Sequence, residues 1–173
     1  MNSPFFDHKQ LEVLITGLTP YIDKDNQQII LAILCAFIAH GGQRDKEGAP
    51  YLEHPLRVFK MMDTVDEKIV ALLHDVFEDS RITEDNLRNM GFSEEIICAV
   101  RALTRGKIQR YNNYLTQVSK NSLALSVKKA DIQDNLDPER LKKLDYRVQQ
   151  RLTRKYRAAL DFLNLISNEN KEF

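Results

Sequence analysis

The sequence predicts an all-α fold, a single domain of about eight to ten helices over residues 1–173. Three observations carry this. Apolar residues recur at helical spacing along most of the chain, and no stretch alternates apolar with polar residues between turn signals, as a half-buried strand would. Only six glycines and five prolines occur in 173 residues, few for a chain rich in tight turns. Capping signals also recur along the chain: Thr64 with Glu67 three positions on, then Thr83, Ser93, and Asp137 before Pro138.

Residues 7–18 read as a modest amphipathic helix, stopped near Pro20. Asp25 caps a strongly apolar helix over 26–40, which Gly41-Gly42 ends. Residues 42–53 are polar and form a loop. A helix follows from about Pro55 to 62. The Thr64/Glu67 box opens one continuous helix over 65–77. Thr83 caps a short helix to about 90, and Ser93 caps another to about Thr104. A basic connector, 105–110, leads to helices at 111–119 and 122–135. Asp137-Pro138 opens a further helix, and a long one spans 145–167.

Composition narrows the function classes. Apolar residues make up 43% and charged residues 29%, the balance of a soluble domain with its own core. The longest apolar run, Ile29–Ala39, has eleven residues, against the roughly 20 of a membrane span. The N-terminus shows no basic segment followed by an apolar one, so no secretory signal is expected and the protein reads as cytoplasmic. Cys35 and Cys98 lie in apolar helical patterns, as two small buried thiols in a reducing compartment do, and no Cys-x-x-Cys pair suggests a zinc finger. Net charge is zero but uneven. Residues 1–100 carry 9 basic and 17 acidic residues, and residues 101–157 carry 15 and 5. The basic half is either a set of solvated helix faces or a wall that attracts an anionic ligand.

The chemistry concentrates in three places. The first is His74, Asp75, Glu78 and Asp79, at the end of the apolar segment IVALLHDVFED. Acids at a helix C-terminus oppose the macrodipole, and burying them is costly without a counter-charge, so a bound cation resolves the conflict. The second is Asp131, Asp134 and Asn135, with Asp131 and Asn135 at i,i+4 on one face. The third is the loop from His40 to Pro55, with its second histidine, His54, at a helix start. His8 reads as a surface residue.

These pieces stand in a fixed order: His40-Gly41-Gly42-Gln43, Gly48-Ala49-Pro50-Tyr51-Leu52-Glu53-His54-Pro55, Leu72-Leu73-His74-Asp75-Val76-Phe77-Glu78-Asp79 and Lys129-Ala130-Asp131-Ile132-Gln133-Asp134-Asn135. In that order they resemble the HD-type alarmone hydrolase domain of RelA/SpoT proteins, over about residues 26–165, and in particular its small stand-alone subgroup. The resemblance implies an all-α HD-domain fold with one divalent metal held by His54, His74, Asp75 and Asp131. Manganese is the usual ion, and the mixed nitrogen and oxygen donors also suit iron, zinc or magnesium. Glu78 and Asp79 would position and deprotonate the attacking water, and His40 would support the fold or a ligand. The reaction implied is removal of the 3′-pyrophosphate from (p)ppGpp. Arg44, Lys46 and Asn135 are the implied nucleotide contacts.

The sequence departs from that family at two points. Asp45 stands where longer members carry an arginine that holds the base, and Leu136-Asp137-Pro138-Glu139-Arg140 replaces a short polar turn. The same chemistry on a different nucleotide, such as an adenine alarmone, NADPH or a 5′-nucleotide, is the first alternative. A catalytically silent, nucleotide-sensing module is the second. Nucleic acid is disfavoured as a partner because acids interrupt the basic half. Arg101, Arg105, Lys107 and Arg110 are candidates for phosphate contact. Arg147, Arg151, Arg154, Lys155 and Arg157 are expected on a solvated face.

Overall fold

The computed structural model describes residues 24–169. Ten helical segments run through them: α1 Lys24–His40, α2 Glu53–Lys60, α3 Val65–Leu73, α4 Val76–Asp79, α5 Glu84–Asn89, α6 Glu94–Leu103, α7 Tyr111–Ser119, α8 Ser122–Asn135, α9 Pro138–Leu141 and α10 Tyr146–Glu169. The pairing of Arg44 with Pro50 across the loop after α1 is an isolated bridge, and no strand forms among the described residues. The helix expected at 7–18, and His8 within it, lie outside the described residues.

α3 is the centre of the molecule. Ile69 to Leu73 are all buried, because α1, α2, α6 and α8 pack around it. A helix surrounded in this way has no solvent stripe to set its period. Its start is local chemistry: the Thr64 hydroxyl accepts from the Glu67 amide at 3.2 Å, and the Glu67 carboxylate accepts from the Thr64 amide at 3.1 Å. Thr83 with Asn86, Ser93, Asn121 and Asp137 also cap their helices through side-chain oxygens. α10 lies along α7 and α8 and closes the far side of the core.

Three boundaries differ from expectation. α1 begins at Lys24, so Asp25 is inside its first turn rather than its cap. α2 begins at Glu53, which places Pro55 in the first turn, where its missing amide is harmless. The helix expected over 65–77 breaks after Leu73 and resumes at Val76. The cause is the His74 ring. Its Nδ1 donates to the Ala71 carbonyl at 2.8 Å, the group that a continuous helix would offer to position 75. Asp75 drops to φ −106°, ψ 0°, and the Glu78 amide bonds the Asp75 carbonyl at 3.1 Å in a tightened turn. Cys35 is buried as expected, but Cys98 is exposed on the outer face of α6, with Arg101 Nη1 3.9 Å from its sulfur. Both thiols are free.

Candidate metal centre

α2, the α3–α4 break and α8 meet at one point. Ligand-capable atoms of His54, His74 and Asp131 lie within 4.8 Å of one another there, all three residues buried. His54 Nε2 is 3.1 Å from Asp131 Oδ1, and His74 Nε2 is 3.0 Å from Asp75 Oδ2. The break after Leu73 is what turns Asp75 towards His74 Nε2. A straight helix would send adjacent side chains about 100° apart.

Both rings are aimed by their other nitrogen. His54 Nδ1 is 2.7 Å from Asp134 Oδ2 and His74 Nδ1 is 2.8 Å from the Ala71 carbonyl. An ionised carboxylate and a carbonyl only accept, so both Nδ1 atoms carry a proton, and each Nε2 turns a lone pair to a cation once that cation displaces the proton it shares with a carboxylate. That arrangement of an outer acceptor behind a histidine orients metal ligands generally. His74 Nε2 is buried and, beyond its 3.0 Å ion-pair contact with Asp75 Oδ2, makes no hydrogen bond, a costly condition that a cation removes. Two imidazoles and two carboxylates, with the remaining directions open to the cavity, fit a divalent ion that keeps positions for water or substrate.

Electrostatics agree. Burial lowers the His54 pKa, but hydrogen bonds to Asp131 and Asp134 outweigh it and carry the value up to about 9. Burial opposes ionisation of Asp131 and Asp75 too. Lys128 and His54 nevertheless hold Asp131 well below the usual carboxylate range, and His74 does so for Asp75. The site is thus a cluster of ionised acids matched by protons and by Lys128, whose Nζ lies 2.7 Å from Asp131 Oδ2. Tyr51 donates its hydroxyl hydrogen bond to Asp75.

His54, Asp75 and Asp131 stand at the wall of a cavity of about 400 Å³. Arg44, Lys46 and Asn135 also line it, as do Lys128 and Arg140, and Leu152 and Tyr156 form part of its apolar side. Asn135 is held by its own helix, its amide donating to Asp131 Oδ1 at 2.6 Å. Arg44 Nη1 donates to the Gly48 carbonyl at 2.6 Å. Glu78 and Asp79 sit on α4, just past the centre and outside the cavity lining. Glu78 Oε1 accepts from the Arg105 amide at 2.6 Å. Burial and the nearby Asp75 raise the pKa of both acids, the direction that suits a base. His40 is buried, its Nδ1 3.1 Å from Gln43 Oε1 and 3.7 Å from Asp79 Oδ2. It stands outside the ligand cluster, its ring tilted against Tyr51 at 4.9 Å.

Several expectations change. None of Arg101, Arg105, Lys107 and Arg110 lines this cavity. Arg101 pairs with Glu84, and Arg105 Nη2 donates to the Gln109 carbonyl at 2.8 Å. Lys155 is exposed, as expected, and also reaches two aromatic rings. Its Nζ lies 5.2 Å from the Tyr111 ring centroid and 4.9 Å from that of Tyr156, which lines the cavity. Asp45 is held within the loop. Its Oδ1 accepts from the amides of Glu47 and Ala49 at 2.9 and 3.0 Å, and its Oδ2 pairs with Arg140. It is the internal cap of the loop. Sequence reading missed Arg57 and Arg140 and undervalued Asp134. The available signal was paired i,i+3 spacing, with Asp131 and Asp134 on one helix facing His54 and Arg57 on another.

No family model matches the sequence. Among curated proteins, the guanosine-3′,5′-bis(diphosphate) 3′-pyrophosphohydrolase of Aquifex aeolicus is 31% identical over 138 residues, 73% of this chain and 20% of that protein. A probable enzyme of the same description from Synechocystis is 34% identical over 88 residues, 49% of this chain and 11% of its own length. The GTP pyrophosphokinase of Myxococcus xanthus is 36% identical over 87 residues, 48% of this chain and 11% of its own. The chain therefore spans a fifth or less of the length of these relatives. A solved structure, described as a metazoan ortholog of SpoT that hydrolyzes ppGpp and plays a role in starvation responses, superposes with a TM-score of 0.64 at 22% identity. That match covers 86% of this chain and 94% of the other. The chain is homologous to the (p)ppGpp hydrolase domains of SpoT/Rel proteins and has the all-helical HD-domain fold of the metazoan SpoT ortholog.

Proposed function

We propose that this protein is a metal-dependent 3′-pyrophosphohydrolase of (p)ppGpp. The observation that carries the reading is the convergence of two histidines with aimed Nε2 atoms and two aspartates beside a cavity that Arg44, Lys46 and Lys128 also line. His54, His74, Asp75 and Asp131 would hold one divalent ion, manganese by the precedent of the resemblance. Such an ion supplies Lewis acidity and a more acidic water, whose pKa falls from 15.7 towards about 7 in the best zinc cases.

The protein's own groups account for the other tasks. Lys128, Arg44 and Lys46 offer positive charge to a diphosphate, and Asn135 offers an amide to the nucleoside. Glu78, pinned by the Arg105 amide, takes the water proton with Asp79 beside it. Water adds to the phosphorus bonded to the 3′ oxygen, the 3′ O–P bond breaks, and the ribose oxygen takes up a proton. The products are a nucleoside 5′-diphosphate or triphosphate and pyrophosphate.

A second reading keeps the chemistry and changes the base. The loop position of Asp45 is occupied by an acid already paired with Arg140, so it offers no cation to a guanine. Pyrophosphate release with added manganese separates the two readings, comparing ppGpp, its adenine analogue, NADPH and 5′-nucleotides with Asp75→Ala as the blank. Release from ppGpp is the expected result. Turnover of another nucleotide with ppGpp untouched selects the second reading. Absence of divalent metal binding under titration refutes both.

A further inference from the structure

Three carboxylates converge on the guanidinium of Arg140. Its Nε donates to Glu47 Oε1 at 2.7 Å, its Nη2 donates to Asp45 Oδ2 at 3.3 Å, and its Nη1 donates to the Asp134 carboxylate and, at 3.3 Å, to the Asp134 carbonyl. The Arg140 side chain is 16% exposed, and those of Asp45, Glu47 and Asp134 are 8%, 7% and 1% exposed. A network this dry is stable only when its members are paired. Here they are. Asp134 also takes His54 Nδ1 and Arg57, Glu47 takes Lys143 at 3.2 Å, and Asp45 takes two loop amides.

The partners of Arg140 belong to two different parts of the site. Asp45 and Glu47 lie in the loop that presents Arg44 and Lys46 to the cavity. Asp134 stands behind His54 and sets its ring. Arginine has five N–H groups in a fixed fork, and the contacts above use four of them. Little is left for a ligand, so Arg140 acts on the site through the groups it holds.

We propose that Arg140 is a positioning residue that fastens the loop 43–52 to the His54–Asp134 pair, so that the nucleotide-facing loop and the orientation of His54 are set by one side chain. Asp45 in the loop and the Asp137–Arg140 turn after α8 are then the two halves of one device. The inference rests on reading the cavity as the nucleotide site. A lysine at 140 would keep the charge but lose the fork, and a glutamine would lose both.

The test uses the full chain with Arg140→Lys, Arg140→Gln, Asp45→Asn and the Asp45→Asn/Arg140→Gln pair. Steady-state kinetics are measured on whichever nucleotide the wild type hydrolyses, with ¹H–¹⁵N spectra of the histidine rings in the metal-free protein. Arg140→Gln is expected to raise KM about tenfold, with a larger effect on KM than on kcat and with Arg140→Lys between it and the wild type. The KM effects of the Asp45 and Arg140 changes combine to less than their product. The His54 Nδ1–H resonance moves, while that of His74, bonded to the Ala71 carbonyl, stays. A folded variant with KM within about twofold of wild type, an unmoved His54 resonance, or fully multiplicative KM effects overturns the proposal. Should Arg140→Gln not fold, Arg140→Lys carries the same readouts. A wild type that hydrolyses no nucleotide refutes the functional reading instead, and the histidine spectra still decide the role of Arg140.

Discussion

Asp134→Asn is the most informative single change, because it leaves every proposed metal ligand in place and removes only what stands behind one of them. Asp134 accepts from His54 Nδ1 at 2.7 Å, from Arg57 Nε at 2.6 Å and Nη2 at 3.3 Å, and from Arg140. Asparagine keeps the shape and one acceptor oxygen, but it loses the charge and turns an amide towards two guanidinium groups. Breaking a buried charge pair costs about 3–5 kcal/mol. The lower end applies here, since Arg57 is 29% exposed and has Glu53 at 3.5 Å as a second partner. A loss of about 3 kcal/mol in a domain of this size lowers Tm by about 6–12 °C. The His54 ring also loses its anchor, and removing such an outer partner costs about 10–100-fold in metal affinity, or about 1.4–2.7 kcal/mol. Thermal unfolding of the metal-free protein and manganese titration of the folded variant measure the two effects separately. A folded Asp134→Asn protein that binds manganese within about twofold of wild type would refute the reasoning, because the ring would then need no carboxylate to aim it.

Asp75→Ala removes a proposed ligand, so it should abolish metal binding and turnover together, whereas Glu78→Ala should keep the metal and lose turnover; equal metal loss in both would reassign Glu78 as a ligand. In the metal-free protein the folded His54 pKa of about 9 lies above the ordinary 6.5, so its stabilising contribution is full below pH 6.5 and is lost as pH rises through 9. Denaturant titrations in a chelator across that window should show the decline, and a flat profile counts against the His54 pairing. Thr64→Ala deletes half of the capping box at the start of α3 and should cost about 1 kcal/mol of stability, read as a lowered denaturant midpoint, without touching metal affinity. Asp45→Arg should lower stability and raise KM rather than improve guanine recognition, because it removes the acceptor of two loop amides and sets a second guanidinium against Arg140; a gain in kcat/KM on ppGpp would contradict this.

Much of the site was legible because the relevant physics is local. Thr64, Thr83, Ser93 and Asp137 satisfy amides two or three residues away, so the helix starts they mark can be read from neighbours alone. His74 and Asp75 stand out for the same reason, as polar groups adjacent in an otherwise apolar segment. The break between α3 and α4 was not legible. Hydrophobic periodicity continues through it, and the competition for the Ala71 carbonyl depends on a ring orientation that packing imposes.

The long-range pairings were equally hidden. His54 meets Asp134 across 80 positions, Arg57 meets it across 77, and Arg140 reaches Glu47 across 93 and Asp45 across 95. Taken singly, each of these charges is an ordinary polar residue on a helix or in a loop. Composition, caps and the order of the histidine and aspartate motifs were enough to determine an all-helical domain and its metal-ligand candidates. Which charges stand behind those candidates, and that Asp45 meets Arg140, was decided only when α2, α8, α9 and the loop packed together. Burial then made every unpaired charge expensive, so each is held by the partners that packing brings within reach.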